Sequence, residues 1–293
     1  MIINTNIQAV ITNNSLWGKS LNLAKNSRNL SLGTKLNSAG DDPAGMAISN
    51  KMRSQILGLE MADRNTNDAI SLMQTAEGAL TEVTNMIQRM RELAIQGATD
   101  TVTDSDRELI QQEINSLVEE IGSVSERIEY NERPLLNAKG ESLVFQIGER
   151  EGMELKFDLK NMDEFTLGFK KLEDPNQNQQ PQPQPPIVIQ KPVTISYKTT
   201  KECEEAIDIC DNALNIVNEF RAEIGAVQNR LEKNSNSLNI STEGSKQALS
   251  RIVDTDMAEE MAEYTKNNVL VQAGLAMLSQ ANQRPNQLLT LLQ

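Results

Sequence analysis

Two apolar stripes, one at each end of the chain, constrain its fold more than any other feature. At the C-terminal end Met257, Met261, Tyr264, Val271, Leu275 and Leu278 recur at alternating steps of four and three, with Asn268 in one slot. At the N-terminal end Ile3, Ile7, Val10, Trp17, Leu21 and Ala24 do the same, with Asn14 in one slot. A repeat of about 3.5 residues marks a seam for another helix rather than for water. The two seams predict that the ends of the chain zip together. Each helix also carries a second apolar line: Ala9, Leu16, Leu23 and Leu30 on the first, and Leu270, Ala273, Met277 and Ala281 on the last. One face of each helix can satisfy a partner within the chain. The other is left over and asks for neighbours.

Composition fits a helical protein. The chain has 293 residues, room for one or two domains, with only 3% aromatic residues. Helix bundles tolerate that scarcity better than large mixed cores do. The formal charge of −13 and the lack of a basic block argue against a nucleic-acid partner. Apolar runs are too short to span a bilayer, so no membrane partner is expected. The opening MIINTNIQAV lacks a basic start, a continuous apolar core and a small-residue cleavage site. That absence ordinarily goes with a cytoplasmic protein, but leaves a dedicated export machine open. Cys203 and Cys210 are seven apart on a predicted helix, about 10 Å, too far to bridge each other. They read as small core residues.

Along the chain, SLGTKLNSAGDDPAG at 31–45 interrupts the helical pattern with turn chemistry, and Pro43 is placed to open the next helix. From Ala44 to Thr99 the pattern is helical again, with Ile48, Met52, Leu59, Ile70, Met73, Leu80, Val83, Ile87 and Ala94 on one face. Thr103 and Asp106 form a capping-box signature. A third helix follows to Glu129, with Ile110, Ile114, Leu117, Ile121, Val124 and Ile128 at four-three spacing. The period then becomes two. Leu143, Phe145 and Ile147 alternate, GEREG turns, and Met153, Leu155, Phe157 and Leu159 alternate back, which predicts a β-hairpin with one buried face. Leu167 and Phe169 are candidates for one short strand and Val193–Tyr197 for another. Between them, 174–192 is a proline- and glutamine-rich linker. A helix from Thr200 carries Ala206, Cys210, Ala213, Val217, Phe220, Ile224, Val227 and Leu231. In the last helix Pro285 is expected to fray or kink the end.

Much catalytic chemistry is missing. With no histidine, zinc–histidine sites, Ser-His-Asp triads and Cys-His dyads are absent. There is no phosphate loop and no dinucleotide fingerprint. Asp41-Asp42 reads as a solvated turn and helix start, and Glu119-Glu120 and Glu259-Glu260 read as exposed helix faces. The methionines are adaptable core filler. No cofactor, no metal and no enzymatic activity are expected.

Several stretches carry a resemblance. MIINTNI at the start, KLNSAGDDPAGMAIS at 35–49, KMRSQILGL at 51–59, ISLMQTAEGALTE at 70–82 and IQRMRELAIQGATDT at 87–101 all resemble bacterial flagellin. So do SRIVDTDMAEEMAEYTKNNVL at 250–270 and QAGLAMLSQANQRPNQLLTLL at 272–292. The resemblance covers 1–172 and 200–293, and looks like a minimal flagellin with little or no outer domain. It implies a filament whose inner tubes are built by the chain ends. It implies export through the flagellar type III apparatus, and an export chaperone, cap and junction proteins as partners. Toll-like receptor 5 is a further implied partner, through positions matching Arg89, Leu93 and Glu113. Cysteine, and a ring as large as Trp17, depart from the family's pattern.

The fold expected is mainly α: a long antiparallel coiled-coil or helical-bundle rod with a small β-hairpin region and paired terminal helices. The expected divisions are an N-terminal inner-core helix at 1–33, a connector at 34–44, and a helical and hairpin part of the middle bundle at 45–172. After them come a linker at 173–198, the C-terminal helix of the middle bundle at 199–240, and a C-terminal inner-core helix at 241–293. The expected filament-core seam is Ile3, Ile7, Val10, Trp17, Leu21, Met257, Met261, Tyr264, Val271, Leu275 and Leu278. The function expected is a structural subunit that polymerises with itself. The alternatives are a hook–filament junction protein and a cytosolic coiled-coil scaffold.

Overall fold

The computed structural model describes residues 6–137, 140–172, 192–194 and 199–291. Ile3 and most of the 173–198 linker lie outside the described residues. Five helices dominate: α1 Ile7–Leu32, α2 Pro43–Gly97, α3 Asp104–Arg127, α4 Thr200–Val253 and α5 Met257–Leu291. The mainly α expectation is borne out. The helix ends show why they fall where they do. Asn6 caps α1 by accepting from the Ala9 N–H (3.1 Å), and Gly33 ends it at φ 70°, where a side chain would be strained. Asp42 accepts from the Ala44 N–H (3.0 Å) as Pro43 opens α2. Thr103 and Asp106 make the reciprocal capping box of α3. Thr199 and Glu202 make the same exchange at α4. Asp256 accepts from the Ala258 N–H (2.8 Å) at the start of α5.

The chain divides into two compact units. Unit 1 comprises Met1–Leu57 and Ser241–Gln293. Within it α1 and α5 pair antiparallel. The Asn6 side chain reaches the Ala281 carbonyl (2.8 Å), and that of Asn29 reaches Glu260 (3.4 Å). The connector after α1 is stitched to the one before α5: the Lys35 N–H donates to the Val253 carbonyl (2.8 Å) and the Thr255 N–H to that of Gly33 (3.1 Å). Pro285 does not break the last helix, which runs on to Leu291. Proline removes one N–H from the ladder and so frees the carbonyl four residues back, that of Ala281. The Asn6 amide fills that acceptor from outside the helix.

Unit 2 is Gly58–Ile240. Its core joins Met73, Leu80, Val83, Ile87, Met90 and Ala94 of α2 to Ile110, Ile114, Val118 and Ile121 of α3. Ala206, Cys210, Ala213, Val217, Phe220, Ile224 and Leu231 of α4 complete it. On α3 the buried line drifts from the expected one: Val118 and Ser125 are buried where Leu117 and Val124 are half-buried. A helix of 3.6 residues per turn walks off a strict heptad unless it supercoils. The hairpin is present as Ser142–Gln146 against Glu154–Asp158, with Leu143, Leu155 and Phe157 buried and Met153 exposed. Leu167 and Phe169 are buried but form no strand. Asp163 accepts from the Thr166 N–H (2.8 Å) and turns the chain there. The strand falls just after, at Lys170–Leu172, and pairs with Pro192–Thr194. A small hairpin at Glu129–Tyr130 and Arg133–Pro134 turns through Asn131 and Glu132, both at positive φ.

Two features of this core bear on chemistry. Arg107 is buried, yet its guanidinium donates to the Gly97 (3.0 Å) and Thr99 (3.2 Å) carbonyls and pairs with Asp104 (2.9 Å). It therefore satisfies carbonyls at the end of α2 that the helix leaves open. Cys203 and Cys210 are both buried. Burial raises both thiols, that of Cys210 to about 12, which disfavours the thiolate form that a nucleophile needs. Phe220 is fully buried and stacks on Phe157 at 5.8 Å between ring centroids. Phe220→Ala is expected to destabilise unit 2 by roughly 3–5 kcal/mol, read as a lower midpoint in chemical denaturation. An unchanged midpoint would show that the core is not organised around this ring.

Candidate assembly interface

The paired terminal helices bury one line of α1 and leave another in solvent. Ala9, Leu16, Leu23 and Leu30 are half-buried, while Ile7, Val10, Trp17 and Leu21 are exposed, Trp17 at 69%. This reverses the roles that spacing alone suggested. The richer seam, with the largest side chains, is not what zips α1 to α5. On α5, Met257, Met261 and Leu275 are exposed, whereas Tyr264, Val271 and Leu278 are half-buried. The expected α5 seam therefore splits between the two faces. The line that meets α1 runs through Glu260, Tyr264, Asn267, Val271, Gly274, Leu278 and Ala281.

The physical reason is backbone approach. A Cβ built on Gly274 would lie 2.8 Å from Leu16 Cδ1, so the two helices meet closely where one side chain is missing. Large residues such as Trp17 and Met257 would hold them apart. The outward face of α1 adds Ile11, and that of α5 adds Val269, Leu270 and Met277, all exposed. Each helix thus carries an apolar face that nothing among the described residues of unit 1 covers. Scattered exposed leucines need no explanation, but a continuous line along a long helix marks a surface for association.

The three residues of the implied receptor patch separate in the same way. Arg89 donates to Glu113 across α2 and α3 (3.0 Å) and pairs with Glu92 (3.3 Å). Glu113, then Glu92, raise the Arg89 guanidinium above its ordinary value. Leu93 is 2% exposed and belongs to the core. Only the Arg89–Glu113 pair is at the surface.

Asp41, read from sequence as a solvated turn residue, is instead the hub of the connector. Its carboxylate pairs with Lys25 (2.9 Å) and Arg28 (3.4 Å) and accepts from the Ser38 N–H (3.0 Å) and the Asn37 N–H (3.3 Å). The Lys25 ammonium, followed by the Ser38 and Asn37 donors and against a smaller burial penalty, lowers it from 3.8 to about 2. No helix among the described residues is long and apolar enough to cross a membrane.

Fold and site together define a helical structural subunit that offers apolar helix faces to other helices. The bacterial flagellin N-terminal helical region matches residues 3–141, and the C-terminal helical region matches residues 207–292. Flagellin of Bacillus subtilis (strain 168) is 42% identical over 315 residues, covering 100% of both chains. The flagellar filament 33 kDa core protein of Treponema phagedenis is 37% identical over 302 residues, again covering 100% of both. The chain belongs to the bacterial flagellin family. A solved chain described as a flagellar hook-associated protein of Vibrio parahaemolyticus shares the fold. Its TM-score is 0.57 at 16% identity, covering 73% of this chain and 100% of that one.

The connector clamp has a pH signature. A carboxyl held below its unfolded value contributes stability that is complete above 3.8 and is lost as pH falls toward about 2. The difference in thermal stability between wild type and Asp41→Asn should be constant above that window and vanish below it. A difference that persists unchanged to pH 2 would mean that charge at Asp41 is not what holds the connector.

Proposed function

We propose that this chain is the structural subunit of a bacterial flagellar filament. It is exported through the flagellar type III apparatus and assembles outside the cell from many copies of itself. The observation that carries the reading is the pair of uncovered apolar faces on α1 and α5, in a member of the flagellin family. Contacts between different faces of successive copies are head-to-tail and do not close, so they extend into a filament. An export chaperone, a cap and junction proteins are the partners implied for export and assembly. The Arg89–Glu113 pair is the surface part of a patch proposed for Toll-like receptor 5.

Energetics support assembly as the step that orders the ends. α1 and α5 hold 26 and 35 residues, each costing roughly 1–2 kcal/mol of backbone entropy to fix. Ala281 is their one buried apolar residue among those described. Burying an Ile, Val, Leu or Met side chain stabilises by roughly 1.5–3 kcal/mol. The exposed faces can return much of the ordering cost, but only against other copies. In the free subunit the terminal helices are therefore poorly ordered, and the chain stays threadable during export.

Changing Trp17→Glu together with Leu21→Glu in the full chain tests this. Electron microscopy should find no filaments, while circular dichroism shows the melting of unit 2 unchanged. Normal filaments from this variant, or a small closed oligomer from wild type, would count against the reading.

A further inference from the structure

The most deeply buried positions of the seam between α1 and α5 are polar, although half-buried leucines line the rest of it. The buried side chains of α1 are Asn26 and Asn29, and among the described residues of α5 those buried are Asn267 and Ala281. The Asn26 amide, oriented to satisfy both ends, donates to the Asn22 carbonyl (2.7 Å) and accepts from the Tyr264 N–H (3.2 Å). At one end of the seam the Asn37 amide donates to Asn29 (2.8 Å) and the Asn29 amide to Glu260 (3.4 Å). The Thr255 hydroxyl closes the group on the other Glu260 oxygen (3.3 Å). At the opposite end the Asn6 side chain does two jobs. Its oxygen caps α1, and its amide donates to Ala281.

An apolar seam made of repeats is poorly protected against slipping by one heptad, and a polar residue at a seam position sets register at some cost in stability. This seam has a sharper device. Along an α-helix each carbonyl takes the N–H four residues on. Pro285 has none to give, so the Ala281 carbonyl is open. Slide α5 by one heptad and Asn6 faces the Gly274 carbonyl, which the Leu278 N–H already serves in the ordinary ladder. The Asn6 amide then shares a carbonyl that is already served, and the Ala281 carbonyl is left with no donor.

We infer that Asn6 and Pro285 form a register pin: the carbonyl that Pro285 leaves open on α5 docks the Asn6 amide, and because any slide strips that carbonyl of its donor, the contact fixes which residues of α1 and α5 face each other. The pin works with the Asn29–Glu260 group at the other end. It goes beyond the filament reading by naming what aligns the two helices within each subunit, and it rests on that reading for its assay. Asn6 is a positioning residue.

The test uses four full-length chains: wild type, Asn6→Ser, Pro285→Ala, and the double variant. Serine keeps an oxygen for the helix cap but does not reach α5, so loss of capping is held constant. The measurement is the critical concentration for polymerisation, with circular dichroism of unit 2 as a folding control. Asn6→Ser should raise the critical concentration by about tenfold, because a buried carbonyl loses its donor. Pro285→Ala restores the N–H and closes the Ala281 carbonyl within the helix. In that background the added Asn6→Ser change should cost no more than about twofold, since no orphaned acceptor remains. Equal penalties in both backgrounds, or no penalty in either, overturn the pin while wild type still polymerises. A wild type that forms no filament overturns the filament reading, and this inference with it.

Discussion

The contact between α1 and α5 sets the terms for the rest of unit 1. The helices lie close because Gly274 leaves space for Leu16, and the side chains buried most fully in these helices are the amides of Asn26, Asn29 and Asn267 beside a line of half-buried leucines. Such a seam contributes direction more than stability. A net hydrogen bond adds about 1 kcal/mol, little against the ordering of two long helices. The large apolar side chains are therefore free to point outward. If Trp17 and Leu21 were spent on the intramolecular seam, the subunit would be better satisfied alone and less inclined to join others.

Unit 2 is built on the opposite plan. Its core is continuous and apolar, drawn from three helices and a hairpin, and its buried guanidinium, Arg107, is spent on the Gly97 carbonyl that ends α2 and the Thr99 carbonyl just after it. The two thiols sit within that core, where burial suppresses their reactivity. Paired surface charges such as Arg89–Glu113 and Arg91–Asp211 are exposed and add little to stability. Self-sufficiency in one unit and its lack in the other suit a subunit that must be folded in part before it meets its neighbours and completed by them.

Much of this was legible in the residues themselves. The helix starts at Thr103 and Pro43 follow from side-chain chemistry acting over one turn, as does the hairpin from its two-residue alternation. Local signals failed where a distant group intervened. Pro285 reads as a site of fraying or kinking, and nothing local says that Asn6, nearly the whole chain away in sequence, donates to the carbonyl it leaves open. Asp41 reads as a solvated turn until Lys25 and Arg28 converge on it. Leu93 matches a surface motif in type but lies on the buried side of α2. The Glu129–Pro134 hairpin gave no clear signal, because its turn places a glutamate at positive φ where glycine or asparagine is the usual mark.

Periodicity determined that each terminal helix carries two apolar lines, and sequence likeness at both ends determined the family, because both depend only on the order of residues. Neither could say which line faces inward. Spacing records that a stripe exists, whereas pairing depends on how closely two backbones can approach and which polar groups are satisfied when they do. Only the tertiary structure brings Gly274 to Leu16 and Asn6 to the open carbonyl of Ala281, and those contacts decide that the heavier seam is left for other molecules.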